Sequence, residues 1–386
     1  MTAAAYDAVI AGGGVIGASC AYHLARAGQR VLVLDRAATP GAGSTGRATG
    51  GFRAQYGTAI NIRLSLLARA ALRTFRDDTG VDPGFAEVGY LWLASTAHEL
   101  DELRRANALQ LHEGLTEARI VAPDELRELA PYAVTDGLAG GAWCPTDGTL
   151  RPLDLLRGYL AAAARLGADI RWGEEVVALE RTHDRIAAVV TRTARHACGF
   201  AVDAAGPWAA HVAQLAGLAL PVVPLRRQVV PTAPATALPP AMPLTIWLAD
   251  GFHLRVRDGR ALLLLPSPGD PADPWSDAVD PAWIDRVAAL ARARLPALRD
   301  VPVDRAAAWA GLYEMSPDGH ALLGALPACP NLYFANGSSG HGVMHAPALG
   351  LLASQLALGA APALDVRALR PSRFDEGEPI AGSSLL

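Results

Sequence analysis

The chain has 386 residues, 51% hydrophobic and 19% charged, a balance that fits about two globular domains and excludes a disordered chain. Its net charge of −4 leaves no basic footprint for nucleic acid or an anionic membrane. All 34 basic residues are arginine, so chemistry that needs a lysine amine is excluded. Cys20, Cys144, Cys198 and Cys329 form no CxxC pair and read as isolated thiols of a reducing cytoplasm, with no metal site expected. Residues 1–5 are too short and uncharged for a signal peptide. Residues 346–364, broken by Pro347, Gly359 and Pro362, read as a buried core helix rather than a membrane span.

In chain order, a strand over 6–11, a glycine turn, a helix over 15–27 and a strand over 30–34 ending on Asp35 form a βαβ start. The turn is Gly12-x-Gly14-x-x-Gly17. The first glycine permits the tight turn, the second lets backbone approach a pyrophosphate, and the third lets helix pack on strand. A diphosphate is expected on the free N–H groups of Gly14, Val15 and Ile16, with a ribose at Asp35 and Arg36 beside it. A small polar loop over 39–51 precedes an amphipathic helix whose apolar stripe is Ile60, Leu64, Leu67, Ala71 and Phe75. Residues 89–94 read as a strand, 96–111 and 123–129 as helices.

A second phase begins near Gly140. It holds a helix over 154–166, a strand over 169–172, and a hairpin of 175–180 and 187–192 around His183-Asp184. A strand over 200–203 then runs through Gly206 into a helix over 209–216, which rejoins the dinucleotide sheet. Residues 221–243, rich in proline, read as an irregular crossing between domains. A hairpin of 252–256 and 261–265, a helix over 281–295, a strand over 331–335 and a last helix complete the chain. The expected class is α/β (α+β): a discontinuous Rossmann-type domain (1–80, 140–216, 306–386) with an antiparallel-sheet substrate domain inserted (81–139, 217–305).

Three later segments join the opening motif: Gly43-Ser44-Thr45-Gly46-Arg47-Ala48-Thr49-Gly50-Gly51-Phe52-Arg53, Ala310-Gly311-Leu312-Tyr313-Glu314-Met315-Ser316-Pro317-Asp318, and Asn336-Gly337-Ser338-Ser339-Gly340-His341-Gly342-Val343-Met344-His345. In order and spacing the chain resembles the D-amino-acid-oxidase-like flavoprotein family, in its sarcosine oxidase and proline dehydrogenase β-subunit branch. The resemblance implies FAD held by the opening fold and the last helix. It implies oxidation of the C–N bond of an amino acid or secondary amine (sarcosine-, proline- or glycine-like) to an imine, by hydride transfer to flavin N5. Gly311 stands where monomeric sarcosine oxidase has the cysteine that bonds the flavin, so the FAD is expected to be non-covalent. Met344 stands where that relative has a lysine assisting the carboxylate, and its oxygen-activating lysine has no counterpart here. The electron acceptor is therefore O2 or a redox carrier or partner subunit.

By the same resemblance Arg53 clamps the substrate carboxylate, a task that suits the planar guanidinium fork. Ser44, Thr45, Arg47, Gly50, Gly51, Val176, Gly206 and Gly311 are expected on the cofactor. The N–H groups of 339–344, including Gly340, His341, Gly342, Val343 and Met344, would meet the charge that develops at flavin N1 and the C2 oxygen. His341 and His345 either serve the flavin or a substrate proton, or fix the loop. Tyr313, Tyr56, Tyr90, Trp247, His253 and Arg255 line the substrate pocket or belong to the core, and Asp147 and Arg151 cap the following helix. The alternatives are a hydroxy-acid-oxidising relative, a flavin-binding partner or assembly subunit with little turnover alone, and an NAD-linked dehydrogenase.

Overall fold

The computed structural model describes residues 6–234, 237–267, 273–382 and 385. Its first sheet is centred on Tyr6–Ala11, which lies parallel to Val31–Asp35 on one side and to Arg195–Asp203 on the other. Ala8, Val9 and Ile10 are fully buried there, as a parallel strand covered on both faces requires. The parallel run continues through Asp169–Trp172 and Cys329–Asn336, and Leu322–Leu326 closes one edge antiparallel. Helix Val15–Arg26 packs on the last helix, Gly342–Ala357. The two approach so closely that a Cβ added at Gly350 would stand 2.1 Å from Ser19 Oγ. Among the described residues no helix is long and apolar enough to cross a membrane.

The second sheet runs Trp309–Met315, Val223–Pro231, Arg260–Leu264, His253–Arg257, Leu244–Trp247, Tyr90–Ala94, Gly140–Cys144 and Arg119–Val121. It is antiparallel except where Leu244–Trp247 meets Tyr90–Ala94. Two expectations need correction here. The proline-rich stretch is no irregular crossing: Val223–Pro231 is a nine-residue strand bonded on both sides. Pro224 and Pro231 fall at or beside its ends, where a missing N–H removes least from the ladder. Gly140–Cys144 and Trp309–Met315, assigned above to the cofactor segments 140–216 and 306–386, hydrogen-bond into this second sheet instead. A two-stranded ribbon, Gly51–Phe52 with Gly148–Thr149, delivers the chain to Arg53.

Candidate active site

A cavity of about 1080 Å³ is walled by residues of both sheets. Gly12, Gly14, Val15, Ile16, Asp35, Arg36, Ser44, Thr45, Arg47, Gly50, Gly51, Val176, Gly206, Gly311, Gly340, His341, Gly342, Val343 and Met344 all line it. Gly17 does not. A Cβ there would lie 1.9 Å from the Gly12 carbonyl oxygen, so its place in the motif is helix-on-strand packing alone. Asp35 first holds the turn itself, its Oδ2 accepting from Gly13 N at 2.7 Å and its Oδ1 from Ala37 N at 2.8 Å. Segment Ser44–Arg47, a single helical turn, is pinned to the neighbouring strand. Ser44 Oγ donates to the Leu312 carbonyl and Arg47 Nη1 to the Ala310 carbonyl. A Cβ at Gly311 would come within 2.9 Å of Arg47 Cβ, so Arg47 packs where a larger residue at 311 would need room.

The closing turn is held in a costly conformation. Ser339 has φ of 47° and Gly340 of 93°, and a Cβ at Gly340 would strike the Tyr313 ring at 2.4 Å. Ser339 Oγ donates to the Gly337 carbonyl and accepts from Ser316 N, while Ser339 N donates to the Glu314 carbonyl. Glu314 Oε1 accepts from Ser338 N at 3.2 Å, whereas its buried Oε2, in the cavity wall, has no hydrogen-bond partner among the described residues. A dinucleotide fits this wall: glycines leave its backbone open, and an unpartnered carboxyl awaits a polar group.

Burial pushes the Glu314 carboxyl up to about 7 and Asp203, whose Oδ2 also lacks a partner, up to about 8. Both are neutral when folded below those values but ionise above about pH 4 when unfolded. Their stabilisation is thus complete below about pH 4 and is lost as pH rises through 7 to 8. Buried histidines (His253, His341, His345) push stability the other way over the same range, and Asp147, raised to about 7, adds to the carboxyl effect. The expected result is therefore a difference between two proteins: the flavin-free wild type should lose melting temperature relative to the Glu314→Gln/Asp203→Asn double variant between pH 5 and pH 9. A gap between the two proteins that stays constant across that range would count against this assignment.

Arg53 stands in the wall of the same cavity, 5% exposed. Its guanidinium lies 4.2 Å over the Tyr56 ring and 5.0 Å from that of Trp92. Nη1 donates to the carbonyls of Gln55 (3.2 Å) and Leu385 (3.0 Å), and Nη2 faces His341 Nε2 at 3.4 Å. Among the described residues it makes no ion pair with a carboxylate. A guanidinium only donates, so His341 accepts at Nε2 and carries its proton on Nδ1. Burial, with Arg53 next, holds His341 well below the usual histidine range, and burial takes His345 to about 3.

The other expected residues divide. Tyr90, His253 and Tyr313 line the cavity. Tyr56 lies beneath Arg53, Trp247 is core, and Arg255 braces the loop by donating to the Thr49 and Gly50 carbonyls. His345 is not in the cavity: its Nε2 is 2.8 Å from Ser65 Oγ, beneath Tyr56, and the residue fixes the helix. Asp147 caps no helix. Its buried carboxyl accepts from Ala54 N (2.8 Å) and Gln55 N (3.3 Å) and holds the backbone beyond the clamp. Arg151 precedes the helix Pro152–Arg165 without a side-chain cap and pairs with Asp258. The sequence reading missed Trp92, Leu244, Ile246, Leu248, Arg227 and Glu314 as wall residues. The two-residue period of strand Tyr90–Ala94 was signal enough for Trp92, which shares a face with Tyr90.

A dinucleotide turn, a second backbone nest and a guanidinium without an ion-pair partner among the described residues, all on one cavity, mark a nucleotide-cofactor oxidoreductase. The chain belongs to the FAD dependent oxidoreductase family, whose profile matches residues 7–356. It is 29% identical to a glycine oxidase of Geobacillus kaustophilus, over 91% of this chain and 92% of that one. It is 27% identical to the sarcosine oxidase subunit beta of Rhizobium meliloti, over 96% and 89%. The crystal structure of L-proline dehydrogenase from P. horikoshii superposes with a TM-score of 0.90 at 26% identity, covering 97% of this chain and 99% of that chain. The protein is an FAD-dependent oxidoreductase with the mixed α/β architecture of that family.

Proposed function

We propose that the protein oxidises the C–N bond of a carboxylate-bearing amine, an amino acid or secondary amine of sarcosine, proline or glycine type, to an imine. The observation that carries this reading is Arg53: buried, stacked on aromatic rings, without a carboxylate partner among the described residues, and in one cavity with the closing turn. The names of the glycine oxidase and L-proline dehydrogenase relatives support it. FAD, when bound, supplies a two-electron acceptor whose N5 takes the hydride. In the opening turn the N–H groups of Gly14 and Ile16 would hold the diphosphate, since Val15 N already donates to Thr45 Oγ1. In the closing turn those of Gly340, Gly342, Val343 and Met344 would face the charge that reduction creates, His341 N being taken by the Ser338 carbonyl. Arg53 orients the substrate through its carboxylate, while Trp92, Leu244 and Ile246 exclude water. Gly311 offers no nucleophile at its position, and on this reading the FAD would be held without a covalent bond.

Burial keeps His253 to about 4 and His345 to about 3, and holds His341 down in the same direction, so none of the three is a good proton acceptor. On this reading the substrate amine arrives already deprotonated, its proton lost to solvent, with the Glu314 carboxyl of the cavity wall, raised to about 7, as a competing acceptor. Anaerobic mixing of the flavin-loaded protein with a panel of amines and amino acids, followed at the flavin absorbance, tests the reading. Bleaching is expected, with a rising pH limb that moves with the pKa of each substrate amine. A limb that stays put across substrates would assign the proton to a side chain. Bleaching by hydroxy acids alone, or by nothing although flavin is bound, would overturn the function. Admission of air then distinguishes O2 from a carrier or partner subunit as acceptor.

A further inference from the structure

The cavity holds a second guanidinium that forms no ion pair among the described residues. Arg227 lines the same space, on strand Val223–Pro231 directly opposite Gly311. Its Nη1 donates to the neighbouring Arg226 carbonyl at 3.1 Å, and among the described residues it makes no ion pair. Its guanidinium carbon sits 5.8 Å from the centre of the Tyr313 ring. Arg53 acts on the same ring, and the two arginines together add to burial in holding His253 neutral. Two fixed positive charges therefore converge on one pair of wall residues, Tyr313 and His253. Glu314, kept neutral to about pH 7, does not offset them. A substrate with one carboxylate satisfies Arg53 and leaves Arg227, half-buried in the same wall, without an anion.

We propose that Arg227 is a second anion subsite, so that the preferred substrate is an amine carrying two carboxylates, one on Arg53 and the other on Arg227. This rests on the amine-oxidising reading above and deepens it. Two guanidinium groups on one cavity wall would take an acidic N-alkyl amino acid or an amine bearing two carboxyalkyl arms, through two charge-assisted pairs.

The test compares N-methylglycine with N-methylaspartate and iminodiacetate as anaerobic reductants of the flavin-loaded protein. Wild type is expected to bind the two dicarboxylates more tightly. Arg227→Gln should cut the dicarboxylate-to-monocarboxylate selectivity roughly 10- to 100-fold, the loss of one charge-assisted pair, and Arg227→Lys should restore part of it. The flavin spectrum and flavin affinity of each variant are measured first, so that damage to the cofactor site registers separately. Equal weakening of both substrate kinds in Arg227→Gln, or monocarboxylates bound as tightly as dicarboxylates by wild type, overturns the subsite and leaves the amine reading standing. If no amine of either kind reduces the bound flavin, both fall together.

Discussion

Gly17→Ala is expected to give a protein that neither retains FAD nor melts cooperatively at the wild-type temperature. The added methyl would sit 1.9 Å from the Gly12 carbonyl oxygen, which is backbone and cannot step aside. The opening helix would have to lift off the central strand, and overpacking of that kind costs about 1–3 kcal/mol or more. Gly14→Ala separates the two functions of the motif. Gly14 has an extended backbone (φ −69°, ψ 179°), and its added Cβ would have Thr45 Oγ1 as nearest neighbour, at a comfortable 3.5 Å. That variant should fold and melt like the flavin-free wild type yet bind FAD far more weakly, because the methyl stands where the diphosphate approaches. Calorimetry and flavin titration of both variants check this. Full FAD affinity in Gly14→Ala would move the diphosphate off this turn.

For the clamp, Arg53→Met should raise KM for a carboxylate-bearing amine about 100-fold, equivalent to about 3 kcal/mol, and change kcat by less than 10-fold. The flavin spectrum should stay that of the wild type, since Arg53 bonds to carbonyls and to the His341 side chain rather than to the backbone N–H groups of the glycine turns. Loss of the charge also removes a donor from His341 Nε2, which stays neutral in either case. Steady-state kinetics with an amine and its decarboxylated analogue provide the measurement. The analogue should be indifferent to the substitution. Equal losses in kcat and kcat/KM would instead put Arg53 at the reacting centre.

Much of the cofactor side was legible because its signals are local. The glycine turn, the strand before it and Asp35 lie within one short stretch, and each glycine has a separate steric reason to be there. The substrate side was less so, because its signals are relations between distant residues. Asp147 sits beside a helix start and looked like a cap, yet its acceptors serve Ala54 and Gln55, brought near by the ribbon of Gly51–Phe52 with Gly148–Thr149. His345 follows His341 by one helical turn, but only the packing of Tyr56 and Ser65 shows that it is shut away from the cavity. Residues 223–231 carry turn-like prolines that position alone makes compatible with a strand. Arg227 was one arginine among 34 until its strand was laid opposite Gly311.

The cavity wall takes one part from the first turn of the chain and another from residues 339–344, next to the last helix. During synthesis the ribosome therefore releases the first half of the clasp long before the second exists. The nascent protein must wait without its flavin, its opening helix lacking the Gly342–Ala357 surface on which it finally rests. Flavin supply in the cell should accordingly govern how much of this protein survives after release, through mass action on the finished fold, rather than how fast the early segments form.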